Sequence, residues 1–169
     1  MNSLRHRLIG LPVLAVLITA AGCSSADDSA TVAVPSPDAA VAKLCRNLDT
    51  ALPRTVDGLS RQDPEPASAL TAGWGSPAII LRCGVDRPPK MVDPKVAEGN
   101  DPNAISGEVN GVGWLMEKQD DGSYRFTTAL RQAYVEVTVP KQRARQDNSA
   151  VLVDLAPAIR KAIPNGIAS

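Results

Sequence analysis

The sequence predicts an α+β domain: a mostly antiparallel sheet with an N-terminal and a C-terminal helix on one face. Three observations carry this prediction. Val41, Leu44, Cys45, Leu48 and Leu52 recur at helical spacing. Residues 78–83 and three segments between 108 and 139 alternate with the period of two that marks strands. Those three segments follow one another through short links, which suits an antiparallel meander and leaves no room for parallel crossovers.

Taken in order, the first helix starts at a Ser36-Pro37-Asp38 signal, with Ser36 as cap, Pro37 at the first helical position and an acid in the first turn. Lys43, Arg46, Asn47 and Asp49 fall on its far side and Pro53 stops it. Residues 71–85 supply a turn at Gly73, Gly75 and Pro77, then a strand over 78–83 with Ile79, Leu81 and Cys83 on one face and Ile80 and Arg82 on the other. A strand over 108–118 carries Val112, Trp114 and Met116 on one parity, and Asp120-Asp121-Gly122 signals a hairpin turn. Residues 124–129 return with Tyr124, Phe126 and Thr128 opposite Arg125 and Thr127. Residues 133–139 alternate inward Ala133, Val135, Val137 and Val139 with outward Tyr134, Glu136 and Thr138. Pro157 as a first helical residue predicts a short helix over about 156–163, while residues 150–153 fit strand and helix equally.

The start of the chain has a different character. Arg5 and Arg7 precede an apolar stretch of 14 residues, Leu8 to Ala21, shorter than the 18 or so that a spanning helix needs, so residues 1–22 read as an export signal. Ala20-Ala21-Gly22-Cys23 follows and resembles the lipobox of bacterial lipoproteins, which implies acylation of Cys23. An ordinary secretory signal ending near Ala21 and an uncleaved anchor are the alternatives. Residues 23–36 read as an acylated tether, rich in Ser, Ala and Asp; the thirteen after Cys23, if extended, reach roughly 40 Å. Residues 37–169 are then one domain.

Composition narrows the function. Lys and Arg number 18 and Asp and Glu 18, and the leader removes two arginines, so the chain has no basic excess to suit nucleic acid. The single histidine, His6, lies in the leader. The domain therefore has no imidazole for a Ser-His-Asp or Cys-His mechanism or for a His-ligated metal. No P-loop, Gly-x-Gly-x-x-Gly, Ser-x-x-Lys or Gly-x-Ser-x-Gly pattern occurs, so no cofactor is assigned. The loop over 86–103 clusters Asp93, Glu98, Asn100, Asp101 and Asn103, but not at the spacing of an EF-hand, and no metal is assigned.

Two cysteines remain in the domain. An exported chain favours their oxidation, and Cys45 with Cys83 is the one possible intramolecular pair; two separate buried thiols are the alternative. With helices on one side of the sheet, the other side offers Arg82, Arg125, Tyr134 and Glu136 as a candidate binding face, with Glu136 read alternatively as the cross-strand partner of Arg82 or Arg125. Trp74 and Trp114 read as core, and the loop bearing Lys141, Arg143 and Arg145 as solvated surface.

Trp74-Gly75, Leu81-Arg82-Cys83-Gly84-Val85, Val109-Asn110-Gly111-Val112 with Trp114, Phe126-Thr127-Thr128, Val135 to Pro140 and Leu152 to Pro157 together resemble the actinobacterial domain-of-unknown-function family 3515. The resemblance covers nearly all of the chain after the leader and implies an extracytoplasmic location and a disulfide. The expected function is a lipid-anchored extracytoplasmic protein of the cell envelope, a non-catalytic binding or assembly module. Its expected partners are the membrane, through acyl chains on Cys23, and an envelope protein or cell-wall polymer. A small envelope hydrolase using paired carboxylates is the alternative.

Overall fold

The computed structural model describes residues 29–144 and 148–168; Cys23, the leader and Arg145 lie outside them. Helix α1 spans Ala39–Ala51, and its buried stripe is Val41, Cys45 and Leu48. It starts later than the sequence suggests. Asp38, not Ser36, is the cap, because its Oδ1 accepts from the N–H groups of Ala40 at 2.7 Å and Val41 at 3.0 Å.

Two small strands, β1 (Thr55–Val56) and β2 (Leu59–Ser60), form a hairpin around Asp57 and Gly58, both with positive φ. The main sheet is built from β3 (Thr71–Trp74), β4 (Ile79–Cys83), β5 (Ala104–Val109), β6 (Val112–Lys118), β7 (Tyr124–Ala129) and β8 (Val135–Val139). All neighbours are antiparallel, in the order β3-β4-β8-β7-β6-β5. The expected meander is therefore present, with β4 inserted beside β8. Thr71–Trp74, read as part of a turn, is an edge strand. The single strand expected over 108–118 is instead the arm and turn of a second hairpin, because Asn110 and Gly111 both take positive φ and reverse the chain. The loop over 86–103 is also more ordered than its composition suggests, holding a 3₁₀ turn at Pro89–Val92 and a short helix, α2, at Pro94–Ala97.

Helix α3 spans Ser149–Ala162. The short helix expected from Pro157 is thus the second half of a longer one, with the proline inside it. Burial explains why the helix persists: Val151, Leu152, Leu155, Ala156, Ala158 and Ile159 are all buried, and that packing outweighs one missing backbone hydrogen bond.

Helices α1 and α3 share one sheet face, and their stripes close a single core with Trp74, Ile79, Leu81, Trp114, Phe126, Val135, Val137 and Val139. The opposite face carries a smaller cluster of Val96, Ala104 and Leu115, with Met91 against it, where α2 leans on β5 and β6.

The segment read as tether meets the domain before Ser36. Glu65 N–H donates to the Ala30 carbonyl and Val32 N–H to the Glu65 carbonyl, each at 2.9 Å. Pro37 lies against Gly84, where a Cβ would stand 2.5 Å from its Cγ. Both contacts draw residues 30–37 onto the domain, so the free length is shorter than composition alone implies.

Candidate functional site

Cys45 and Cys83 form a disulfide with their Cα atoms 5.5 Å apart, joining the middle of α1 to the end of β4. Helical spacing put Cys45 in the buried stripe and strand parity put Cys83 on the helix-facing side, so each position was prepared for the other. The 38-residue separation corresponds to about 4 kcal/mol of stabilisation in the chain-entropy treatment.

On the outward sheet face the charged candidates are engaged in ion pairs, Arg82 with Glu136 and Arg125 with Glu117. Register sets Arg82 opposite Glu136, and Arg82 Nε stands 3.3 Å from Glu136 Oε1, a charge contact without hydrogen-bond alignment. Arg125 faces Glu117 across β6 and β7 and donates from Nε and a terminal nitrogen to the two carboxylate oxygens, each at 3.1 Å. That fork holds the Arg125 pKa above its ordinary value, against the opposing effect of burial. Glu117, not singled out from sequence, is the most buried acid of this face. Its signal was its place opposite Arg125, hidden until the register was known.

Tyr134 is the clear departure. Expected to be outward, it is only 6% exposed and lies in a cleft of about 650 Å³ shared with Pro35, Pro37, Arg82 and Arg87. The N-terminal arm forms one wall of that cleft, which is why strand parity alone misjudged the residue. Thr127, on the same face, is fully buried, and its hydroxyl has no partner among the described residues.

Both tryptophans are core. Trp74 donates its indole N–H to the Pro53 carbonyl at 3.1 Å, whereas the Trp114 N–H is buried without a partner among the described residues. Of the basic loop, Arg143 donates to the carbonyls of Ser76 and Pro77 and so fastens the β3–β4 turn. The acids of the 86–103 loop serve local structure: Asp93 caps α2, and Asp101 accepts from Asn103 N–H and pairs with Lys90 at 2.9 Å.

A groove that sequence reasoning missed lies on the helical face, where β5, β6 and β7 run past the start of α3. It holds about 520 Å³ and is walled by Ile105, Val109, Met116, Tyr124, Phe126 and Leu152, with Asp101, Asn103, Lys118, Asn148 and Ser149 at its polar margin. Cross-strand register builds the floor: Ile105 pairs with Met116 and Met116 with Phe126. Tyr124 and Phe126 stand two residues apart on one face, their ring centroids 6.2 Å apart and their planes 13° from parallel. Ile105 is 59% exposed. That aromatic pair at strand spacing was the available signal, but nothing in the sequence says that Tyr124 stays partly exposed beside a buried Phe126.

A groove with an apolar floor and a mixed polar margin suits an apolar chain or side chain. It offers little to hydrolysis, since among the described residues Asp101 is the one carboxylate on it and is already paired with Lys90. The cleft near Tyr134 carries two acids, Asp38, which is occupied as the α1 cap, and Asp86.

A family model described as a protein of unknown function, DUF3515, matches residues 7–167. The chain belongs to the DUF3515 family. The DUF3515 match spans the helix, the sheet and both cysteines of the disulfide, so the geometry above belongs to the family's domain and not to an addition beside it. No curated protein and no solved structure matches the chain. Among the described residues, no helix is long and apolar enough to cross a membrane.

Proposed function

We propose that this DUF3515 protein is a lipid-anchored, extracytoplasmic binding module of the cell envelope, held by acyl chains on Cys23 and presenting the Tyr124/Phe126 groove to a partner. The observation that carries the binding reading is that groove: about 520 Å³, with an apolar floor and no pair of acids among the described residues of its walls. An apolar segment of an envelope protein suits it better than a cell-wall polymer, because the floor of Ile105, Met116, Tyr124, Phe126 and Leu152 offers few hydrogen-bonding groups to a glycan. The export signal, the Ala21-Gly22-Cys23 junction and the disulfide support an oxidising location outside the cytoplasm.

Intact-mass measurement on the membrane fraction tests the anchor. The expected mass is that of a chain beginning at diacylated Cys23, with Cys45 and Cys83 taking up alkylating agent only after reduction. An unmodified Cys23 in a soluble secreted chain would overturn it. For the groove, a photo-crosslinking residue at Tyr124 in the full chain is expected to capture an envelope protein in cells, and Met116→Lys to abolish the capture. Capture unchanged by Met116→Lys would remove the groove from the proposal.

A further inference from the structure

The two edges of the sheet are treated differently, and the difference points to a second copy of the chain. At the β3 edge the backbone is already engaged: Gln62 N–H donates to the Gly73 carbonyl at 2.8 Å and Gly75 N–H to the Ser60 carbonyl at 3.0 Å. At the β5 edge no backbone hydrogen bond to another segment faces outward among the described residues. The outward groups can be identified. A two-residue turn at Asn110-Gly111 makes Val109 and Val112 a hydrogen-bonded pair, and the pattern then alternates along the ladder. Lys118 N–H donating to the Asn103 carbonyl at 2.8 Å confirms the phase at the other end. Ser106 and Glu108 therefore aim both their N–H and C=O groups away from β6. Ala104 does the same with its carbonyl, while its N–H leans on the Asp101 carboxylate.

Such an edge invites strand addition, and its only charged deterrent is Glu108. Ala104–Val109 contains no proline and no lysine, and residues 105–108 are all exposed. We propose that β5 pairs antiparallel with β5 of a second copy about a two-fold axis at Ser106, making one continuous sheet across the dimer.

The sequence of the edge selects that register. Centred on Ser106, the pairing uses every outward residue, sets Glu108 opposite Ala104 of the second copy, and lays Ile105 over Gly107 of the second copy, which has no side chain to displace. Centred on Glu108, it would place two like charges directly opposite. Centred on Ala104, it would bring Pro102, which lacks an N–H, against Ser106. The chosen register covers Ile105, a large apolar side chain left mostly in solvent by the single chain. Its axis is normal to the sheet, so both grooves open on the same side of the dimer. Dimerisation does not depend on an anchor at Cys23 or on what the groove binds.

The test uses the full chain. Ser106→Cys under mild oxidation is expected to give a covalent dimer on non-reducing gels, whereas Asn47→Cys on the exposed side of α1 gives none. Ser106→Pro removes the two central inter-copy hydrogen bonds without touching the β6 ladder. At about 1 kcal/mol each this predicts association roughly thirtyfold weaker by sedimentation equilibrium. Ile105→Lys, which leaves the backbone untouched, is expected to weaken association in the same assay and decides the matter if the proline variant does not fold. A Ser106→Cys chain that stays monomeric and forms no cross-link, one that cross-links to a different protein instead, or a dimer that survives both Ser106→Pro and Ile105→Lys would each overturn the proposal.

Discussion

The half of the sheet formed by β3, β4 and β8 and the half formed by β5, β6 and β7 solve the same problem by opposite means. In the first, the disulfide ties β4 to α1, residues 60–62 cover the outer strand, and the N-terminal arm lies along the end. In the second there is no covalent tie among the described residues, the outer strand is bare, and Tyr124 stays partly exposed beside a buried Phe126. What holds the second half is the burial of Val112, Trp114 and Phe126 in the shared core, supplemented by the Glu117–Arg125 fork on one face and by Arg131, whose buried guanidinium donates to the Ile163 and Gly111 carbonyls at 2.9 and 2.8 Å. Burial, and more weakly Arg160, lowers the Arg131 pKa from its ordinary value. One half is locked for stability; the other is left free to be touched.

Replacing both Cys45 and Cys83 with Ala is expected to have the largest effect, about 4 kcal/mol and on the order of 15 °C in Tm, read by calorimetry. A smaller loss than that from Arg125→Ala would reverse the assignment of the covalent half as the locked one. Arg125→Ala strands Glu117, which is nearly buried, and is expected to cost about 3 kcal/mol, whereas Arg125→Met combined with Glu117→Leu recovers most of it. Gly73→Ala tests how the closed edge is closed. Its Cβ would fall 2.5 Å from the Gln62 carbonyl oxygen, so the covering segment must move. A loss of about 2 kcal/mol is expected, with faster hydrogen exchange at Gln62 and Gly75. Ile105→Ser, at the open edge, is expected to change monomer stability by less than about 0.5 kcal/mol.

The smallest effect is one of pH. The Ser123 hydroxyl, then its N–H and Lys141, lower the pKa of Asp121 at the β6–β7 turn. A depressed carboxylate contributes stability that is present above its unfolded value of about 3.9 and is lost as pH falls through the folded value. Carboxyl NMR titration is expected to find a midpoint below about 3.9, and Ser123→Ala to move it back up.

Periodicity located the sheet and the paired cysteines because both depend on which face a side chain takes. Val135, Val137 and Val139 are buried where alternation puts them, and Cys45 meets Cys83 from the facing stripe. Punctuation residues were less reliable guides. Pro157 read as a start and lies within α3, since the buried stripe on both sides of it decides the helix; Asn110-Gly111 is the turn that separates β5 from β6. The groove was out of reach for a different reason. Its walls come from β5, β6, β7 and α3, and whether a helix covers a patch of sheet depends on where the helix begins in space, which no local pattern records. Tyr134 was misjudged on the same grounds, its cover being the arm near Pro37.

That arm also sets a working height. Between Cys23 and Ala30 lie six residues, and with the acyl anchor proposed for Cys23 their full extension spans only about 20 Å. The arm docks beside Glu65, next to the closed edge of the sheet, so the leash pulls on that side of the domain. Under that proposal the closed-edge side of the domain sits within about 20 Å of the lipid surface, and the Tyr124/Phe126 groove, on the other half of the sheet, is the part held away from the leash.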